Sequence, residues 1–200
     1  MESSVGIHHQ AVSVHLNYFS CLEDDLLTLS RWIEFCPQNE SVFSIELARL
    51  LMTACAEVDV VAKALCREIA PARGARTIGA YQEVLCAALP MLCEVQVRMT
   101  RFGMVLNPWA NWRQHDNPPL WWSANNKVKH HRAQHFAEAN LKSVLNAISG
   151  LLVLLVLLHS KNEAHFPLPK LFVPDTFAMP EGAQLRILIP DGNNVSWGNA

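Results

Sequence analysis

Residues 144–158 read VLNAISGLLVLLVLL, and this apolar run decides the fold. A helix that crosses a membrane needs about 20 predominantly apolar residues. The run is shorter, contains Asn146 and Ser149, and is followed at once by His159. A helix that is apolar on all sides is typical of the centre of a helical bundle. We therefore expect a helix over residues 137–160 that the rest of the chain surrounds.

Four further helices are predicted because apolar residues recur at steps of three and four. They cover residues 11–35, 41–69, 77–102 and 118–135. Pro37 is expected to end the first helix, Ser41 to cap the second, and Pro90 to kink or split the third. Asn117 is expected to cap the fourth helix, with Pro118 in its first turn.

The last part of the chain, residues 163–200, differs in composition from the helical part, residues 1–162. Prolines punctuate this tail, and residues 184–189 (QLRILI) predict a strand. Asp191 and Gly192 form a turn signal that is typical of a β-hairpin. The predicted fold class is therefore mainly α: an antiparallel bundle of about five helices with a short β-forming tail.

The chain has 200 residues, half of them apolar, and a net charge of -2. This balance creates no overall attraction to nucleic acid or to an anionic membrane, so nucleic-acid binding would need a local basic patch. Residues 1–10 lack the pattern of a signal peptide, and the six cysteines show neither a C-x-x-C pair nor zinc-finger spacing. These features predict a cytoplasmic protein whose cysteines pack in the core.

One segment, residues 120–132 (LWWSANNKVKHHR), is dense in groups that carry chemistry. On a helix, Trp121, Ala124 and Val128 share one apolar side. The other positions hold amides, cations and imidazoles: Asn125, Asn126, Lys127, Lys129, His130, His131 and Arg132. No other part of the chain gathers so many donors and titratable groups.

Helix geometry limits which of these residues meet. Residues four apart lie about 40° apart around a helix, so Asn126 reaches His130 and Lys127 reaches His131. Residues five apart diverge by about 140°. A working pair of Asn126 and His131 would therefore need a distorted turn, or two chains that meet.

These residue types suit the cleavage of RNA without a metal ion. A histidine accepts a proton from a ribose 2′-hydroxyl, a neighbouring cation stabilises the charge on the phosphate, and amides hold the phosphate. The predicted catalytic residues are His130, His131, Asn126 and Lys127. The predicted RNA- or nucleotide-binding residues are Asn125, Lys129, Arg132 and Trp122.

No cofactor and no metal site are predicted. His131 and His135 have the spacing of a zinc-binding helix, but Arg132 stands where the metalloprotease motif carries its Glu. Nearby cations also disfavour a metal ion.

Two segments resemble the HEPN superfamily of small helical domains. They are residues 54–63 (ACAEVDVVAK) and residues 125–132 (NNKVKHHR), which lead into the apolar last helix. The resemblance covers residues 11–160 and implies a HEPN-like homodimer in which two motifs line one cleft. Active members carry an Arg four to six residues before a His, and in this chain the Arg position falls on Asn125 or Asn126.

Two functions follow from the cluster and the resemblance. The first is a metal-independent endoribonuclease of the toxin or phage-defence type. The second is a non-catalytic HEPN-like dimer that binds a nucleotide, an RNA or a protein partner. Glu57 reaches the histidines if the second and fourth helices pack together, and Asp59 with Lys63 is expected to form a surface ion pair. The tryptophans at 109, 112, 121 and 122 stack on bases, cover the end of the bundle or fill a dimer interface.

Overall fold

The computed structural model describes residues 13–159, 169–174, 185–188 and 194–197. These residues contain five α-helices: α1 (Val14–Leu29), α2 (Ile45–Ile69), α3 (Ile78–Ala88), α4 (Leu120–His135) and α5 (Leu141–His159). They also contain five short strands: β1 (Val97–Met99), β2 (Met104–Leu106), β3 (Val173–Pro174), β4 (Leu185–Leu188) and β5 (Asn194–Trp197). The predicted fold class, mainly α with five helices and a β-forming tail, is confirmed.

The helix α5 lies at the centre of the bundle. Residues 147–159 are all buried, and α5 packs against α1, α2 and α4, with α2 making the most extensive contact. By length and composition α5 could cross a membrane, but the surrounding helices cover it. The prediction of a buried central helix is therefore confirmed, with bounds a few residues inside the expected ones.

The start of α2 differs from the sequence prediction. Ser44, not Ser41, caps the helix, because the Ser44 hydroxyl accepts a hydrogen bond from the Leu47 N–H at 3.1 Å. The residues just before Ser44 bond to another part of the chain, since the Val42 carbonyl accepts the N–H of Leu141 at 2.9 Å. This contact and the bridge between Phe43 and Asn140 tie the chain just before α2 to the start of α5.

The predicted third helix is wrong in its second half. The chain splits at Pro90 as expected, but a 3-10 turn and the antiparallel pair β1–β2 follow instead of more helix. Buried and exposed side chains alternate along β1, with Arg98 exposed between two buried neighbours, which is the period of a strand. Gly103, with φ 63°, makes the turn between the strands in a conformation that favours glycine. The first helix also stops earlier than predicted, at Leu29.

The cysteines form no disulfide and are all free thiols. Cys55 and Cys66 pack in the core, as predicted, whereas Cys21 is exposed. The expectation of core packing is therefore wrong for Cys21, which faces away from the buried stripe of α1.

A segment of the tail, residues 169–174, docks on the bundle and completes the small sheet. β3 pairs with β1 on the side opposite β2. The carboxylate of Glu23 in α1, 2% exposed, accepts the Leu171 N–H at 2.7 Å, and Phe172 is fully buried. A buried carboxylate on α1 therefore holds backbone from the far end of the chain.

The predicted hairpin of the tail is confirmed as a backbone pairing. β4 and β5 are antiparallel neighbours, with Leu185 opposite Trp197 and Leu188 opposite Asn194. The turn signal Asp191-Gly192 and the boundary between residues 162 and 163 lie outside the described residues.

The buried Glu23 predicts a pH dependence of stability. Burial raises the pKa of its carboxyl above the ordinary 4.5, although N–H groups of residues 170–172 oppose this shift. A raised pKa means that protonation favours the fold, so the contribution is present at low pH and is lost as pH rises through the folded pKa. Glu23→Gln stays neutral at every pH. We therefore expect the stability of wild type relative to the variant to fall over the pH range that begins near 4.5, the ordinary pKa, and extends upward through the folded-state pKa.

Urea unfolding of both proteins across that pH range measures the effect. Glu34→Gln, which removes an exposed carboxylate, is the control. Parallel pH profiles for wild type and Glu23→Gln would contradict the prediction.

Candidate functional site

A group of buried tryptophans fixes the N-terminal half of α4. The Trp121 indole donates to the Pro108 carbonyl at 2.8 Å, and the Trp109 indole donates to the Gly150 carbonyl at 3.3 Å. The ring centroid of Trp109 lies 5.3 Å from that of Trp121 and 4.3 Å from that of Trp112. These three tryptophans are core residues, so they are not available to stack on bases.

The cap of α4 differs from the prediction. Pro119 occupies the N-cap position and provides no side-chain cap, whereas the Asn117 amide donates to the Gln114 side chain at 3.3 Å. The predicted Asn117 cap is therefore wrong. Contacts of the tryptophans, rather than a side-chain cap, hold the N-terminal end of α4 in place.

The buried face of α4 contains the predicted residues and one more. Trp121, Ala124 and Val128 are buried, and Asn125 is buried with them at 8% exposure. Asn125 lies about 60° from Val128 around the helix, at the edge of the same buried face. Asn125 therefore does not belong to the exposed surface that the sequence analysis assigned to it. Trp122 is half-buried at the edge of this face.

The remaining predicted site residues share the exposed side of α4: Asn126, Lys127, Lys129, His130, His131 and Arg132. We refer to these six residues as the α4 face. Asn126 and His130 are four residues apart, a spacing that corresponds to about 40° around a regular helix. Among the described residues these two side chains share no hydrogen bond.

The helix is broken in the middle of the α4 face. His131 has φ -138° and ψ 45°, which is not a helical conformation. The ring centroid of His131 lies 6.5 Å from that of His130 and 6.5 Å from that of His135. His131 therefore lies between the exposed His130 and the half-buried His135, and we refer to these three rings as the imidazole row. The sequence left open whether the helix was continuous here.

A carboxylate that sequence reasoning missed borders the α4 face. Glu138 accepts hydrogen bonds from the Lys127 ammonium at 2.9 and 3.0 Å, and its carboxylate lies 2.9 Å from Nδ1 of His135. Burial opposes ionisation of Glu138, but these two partners outweigh it and lower its pKa. The spacing of His135 and Glu138 could have indicated their pairing, but Lys127 is too distant in sequence.

Two contacts join the α4 face to the α2 region. Arg132 lies 3.2 Å from the Met52 sulfur, a weak acceptor that leaves most guanidinium donors available. Phe43, 48% exposed just before α2, makes an edge-on contact with Phe136 at 5.5 Å between ring centroids. Phe136 adjoins His135 in sequence, so an exposed aromatic side chain lies beside the imidazole row. No local pattern could have indicated Phe43.

The acidic residues of α2 do not join the α4 face. Glu57 lies 2.5 Å from Nδ1 of His15 in α1. Asp59 pairs with Lys63 as predicted, and it also accepts the Tyr81 hydroxyl at 2.8 Å. The ion pair is therefore tied to the core, because Tyr81 is fully buried.

Within the ranges that the structure describes, no group of three His, Cys, Asp or Glu side chains is arranged to hold a metal ion. No protein-family model, curated protein or solved structure matches this chain. The resemblance to the HEPN superfamily therefore stays a prediction.

The close approach of α5 to the tryptophans predicts a cost for side chains at Gly150. A Cβ there would lie 3.3 Å from atoms of Pro108 and Trp121 and 3.4 Å from Trp109. Gly150→Val adds two further methyl groups to this space, and we expect it to lower the free energy of unfolding by about 1–3 kcal/mol. Urea unfolding followed by tryptophan fluorescence measures the change.

Gly79→Ala is the matched control, because the nearest atom to its Cβ lies 3.9 Å away, an ordinary contact. We expect no loss of stability in this variant. A Gly150→Val protein as stable as wild type would show that the tryptophans do not need the close approach.

Proposed function

We propose that the α4 face binds single-stranded RNA and cleaves it without a metal ion. The observation that supports this function is the pair of exposed imidazoles at the kink, His130 and His131, whose ring centroids lie 6.5 Å apart. The ring of the half-buried His135 lies a further 6.5 Å from that of His131. The cations Lys129 and Arg132 are exposed on the same face.

The reaction needs one proton acceptor and one proton donor. The ribose 2′-oxygen attacks phosphorus, the bond from phosphorus to the 5′-oxygen breaks, and a 2′,3′-cyclic phosphate and a 5′-hydroxyl form. One imidazole takes the 2′-hydroxyl proton and a second, protonated imidazole gives a proton to the leaving 5′-oxygen. A ring separation of 6.5 Å leaves room for a phosphodiester between His130 and His131.

The electrostatics of the α4 face suit a phosphate backbone. Within the part of the chain that the structure describes, neither Lys129 nor Arg132 forms an ion pair with a carboxylate. Both charges are therefore available to phosphate oxygens, which is the main source of affinity for nucleic acid. Asn126 adds an exposed amide donor between them and the half-buried Trp122.

The catalytic proposal predicts the effect of removing two imidazoles. Purified protein is incubated with mixed RNA in EDTA beside the double variant His130→Ala/His131→Ala. We expect wild type to release fragments with 2′,3′-cyclic phosphate ends, and the variant to cleave about 10²–10⁴-fold more slowly because acid-base catalysis is lost.

His115→Ala is the control, since His115 is an exposed histidine outside α4. It should cleave like wild type, and circular dichroism should show that all the variants are folded. Equal cleavage by wild type and the double variant would disprove the assignment, because a contaminating nuclease would explain it.

A second candidate function is binding without cleavage, as a homodimer that recognises RNA, a nucleotide or a protein partner. The pairing of Lys127 with Glu138 favours it, because the sequence analysis predicts Lys127 as a catalytic residue and a carboxylate already holds its charge. The burial of Asn125 also removes one predicted phosphate ligand. Wild type that binds RNA but releases no fragments would support this candidate.

Both candidates predict how charge changes on the α4 face alter RNA affinity. Glu138→Gln releases Lys127 and His135, so we expect tighter binding of single-stranded RNA. Lys129→Gln should weaken it and reduce the salt dependence of log K by about 0.7, the value of one phosphate contact on a single strand. Fluorescence anisotropy at several salt concentrations measures both effects.

Glu34→Gln removes one negative charge at an exposed site elsewhere and serves as the control for net charge. Its affinity should stay close to that of wild type. A Glu138→Gln protein that binds no tighter than this control would show that Lys127 does not contact RNA.

A further inference from the structure

A second group of cations surrounds a cavity at the C-terminal end of α2. The cavity has a volume of about 370 Å³ and lies between the last turns of α2 and the loop that leads to α3. Its lining includes Lys63, Arg67 and Arg76, together with the apolar surface of Pro71. We propose that this cavity binds a small phosphorylated molecule, separately from the α4 face.

The side chains of the two arginines of the cavity have no partner among the described residues. Within the residues that the structure describes, neither Arg67 nor Arg76 forms an ion pair or a hydrogen bond. Two other arginines do form ion pairs, since Arg49 pairs with two carboxylates and Arg113 with one. No acidic residue lines the cavity. Like charges held together repel, and a bound anion removes that repulsion.

The third cation, Lys63, is positioned by an ion pair with a residue that does not line the cavity. Asp59 pairs with Lys63 and accepts the hydroxyl of the fully buried Tyr81 at 2.8 Å. Asp59 does not line the cavity, so its charge offsets Lys63 without blocking the site. Positive charge from the two arginines remains, and their planar guanidinium groups suit the paired oxygens of a phosphate.

The negative end of the helix dipole explains only one of these cations. Arg67 lies in the last turn of α2, where a cation stabilises the helix end. Arg76 lies beyond the helix, after Gly74, whose φ of 56° is strained for any residue with a side chain. The turn at Gly74 thus places a second arginine, Arg76, in the wall of the cavity. The dipole of α2 does not explain why a cation lies at that position.

The size and the neutral lining indicate the class of ligand. A volume of about 370 Å³ lies near the lower end of the range for small-molecule sites. Cys66 also lines the cavity, and burial raises its pKa to about 11, so its thiol stays neutral and does not compete with an anion. Pro71 and Ala75 offer apolar contact to a small organic group. A phosphate monoester or a diphosphate of modest size fits these properties.

The experiment titrates wild type with inorganic pyrophosphate and with adenosine diphosphate by isothermal calorimetry. We expect both probes to bind, and Arg67→Gln/Arg76→Gln to weaken each by at least about tenfold because charge-assisted hydrogen bonds are lost. Tighter binding of adenosine diphosphate than of pyrophosphate would support an organic ligand, and equal binding would indicate that the phosphates alone are recognised.

Two control variants make the result specific. Arg31→Gln removes an exposed arginine that lies far from this loop in sequence, and it should bind both probes like wild type. His130→Ala/His131→Ala should also retain pyrophosphate binding, so failure of the α4 proposal leaves this one intact. The proposal is overturned if wild type binds neither probe, or if the double arginine variant binds them as tightly as wild type.

Discussion

The structure depends on the burial of α5. A helix that is apolar on every side must be covered on every side, because each exposed methylene costs about 0.8 kcal/mol in water. Residues 147–159 are covered by α1, α2 and α4. Gly150 allows the closest approach, since its missing side chain leaves room for Trp109 and Trp121. The position of α4, and of every residue it exposes, follows from this packing.

The two halves of α4 are held by different forces. The N-terminal half is fixed by tryptophan rings and indole hydrogen bonds in the core. The C-terminal half is broken at His131 and is tied at the surface by Glu138, which reaches Lys127 and His135. Apolar packing therefore sets where the face lies, and a partly exposed carboxylate sets which of its cations are available. Any anion that binds this face competes with Glu138.

Although the chain has a net charge of -2, it carries two local basic surfaces. On the α4 face, the cations are exposed and one of them, Lys127, is already paired. At the loop after α2, Arg67 and Arg76 surround a cavity and are unpaired within the described residues. An open face suits a long polyanion, whereas a cavity suits a small one. The two proposed anion sites thus differ in shape rather than in total charge.

The sequence by itself determined the features that arise between near neighbours. Periodicity predicted five helices and a buried α5, and spacing of four predicted the Asp59–Lys63 pair and the shared face of Asn126 and His130. Only the tertiary structure decided the β1–β3 pairing, the burial of Glu23 and the pairing of Lys127 with Glu138. These contacts join residues that are distant in sequence or separated by a kink. Local sequence patterns do not predict these contacts, because the contacts form only when the other helices pack around α5 and bring the segments together.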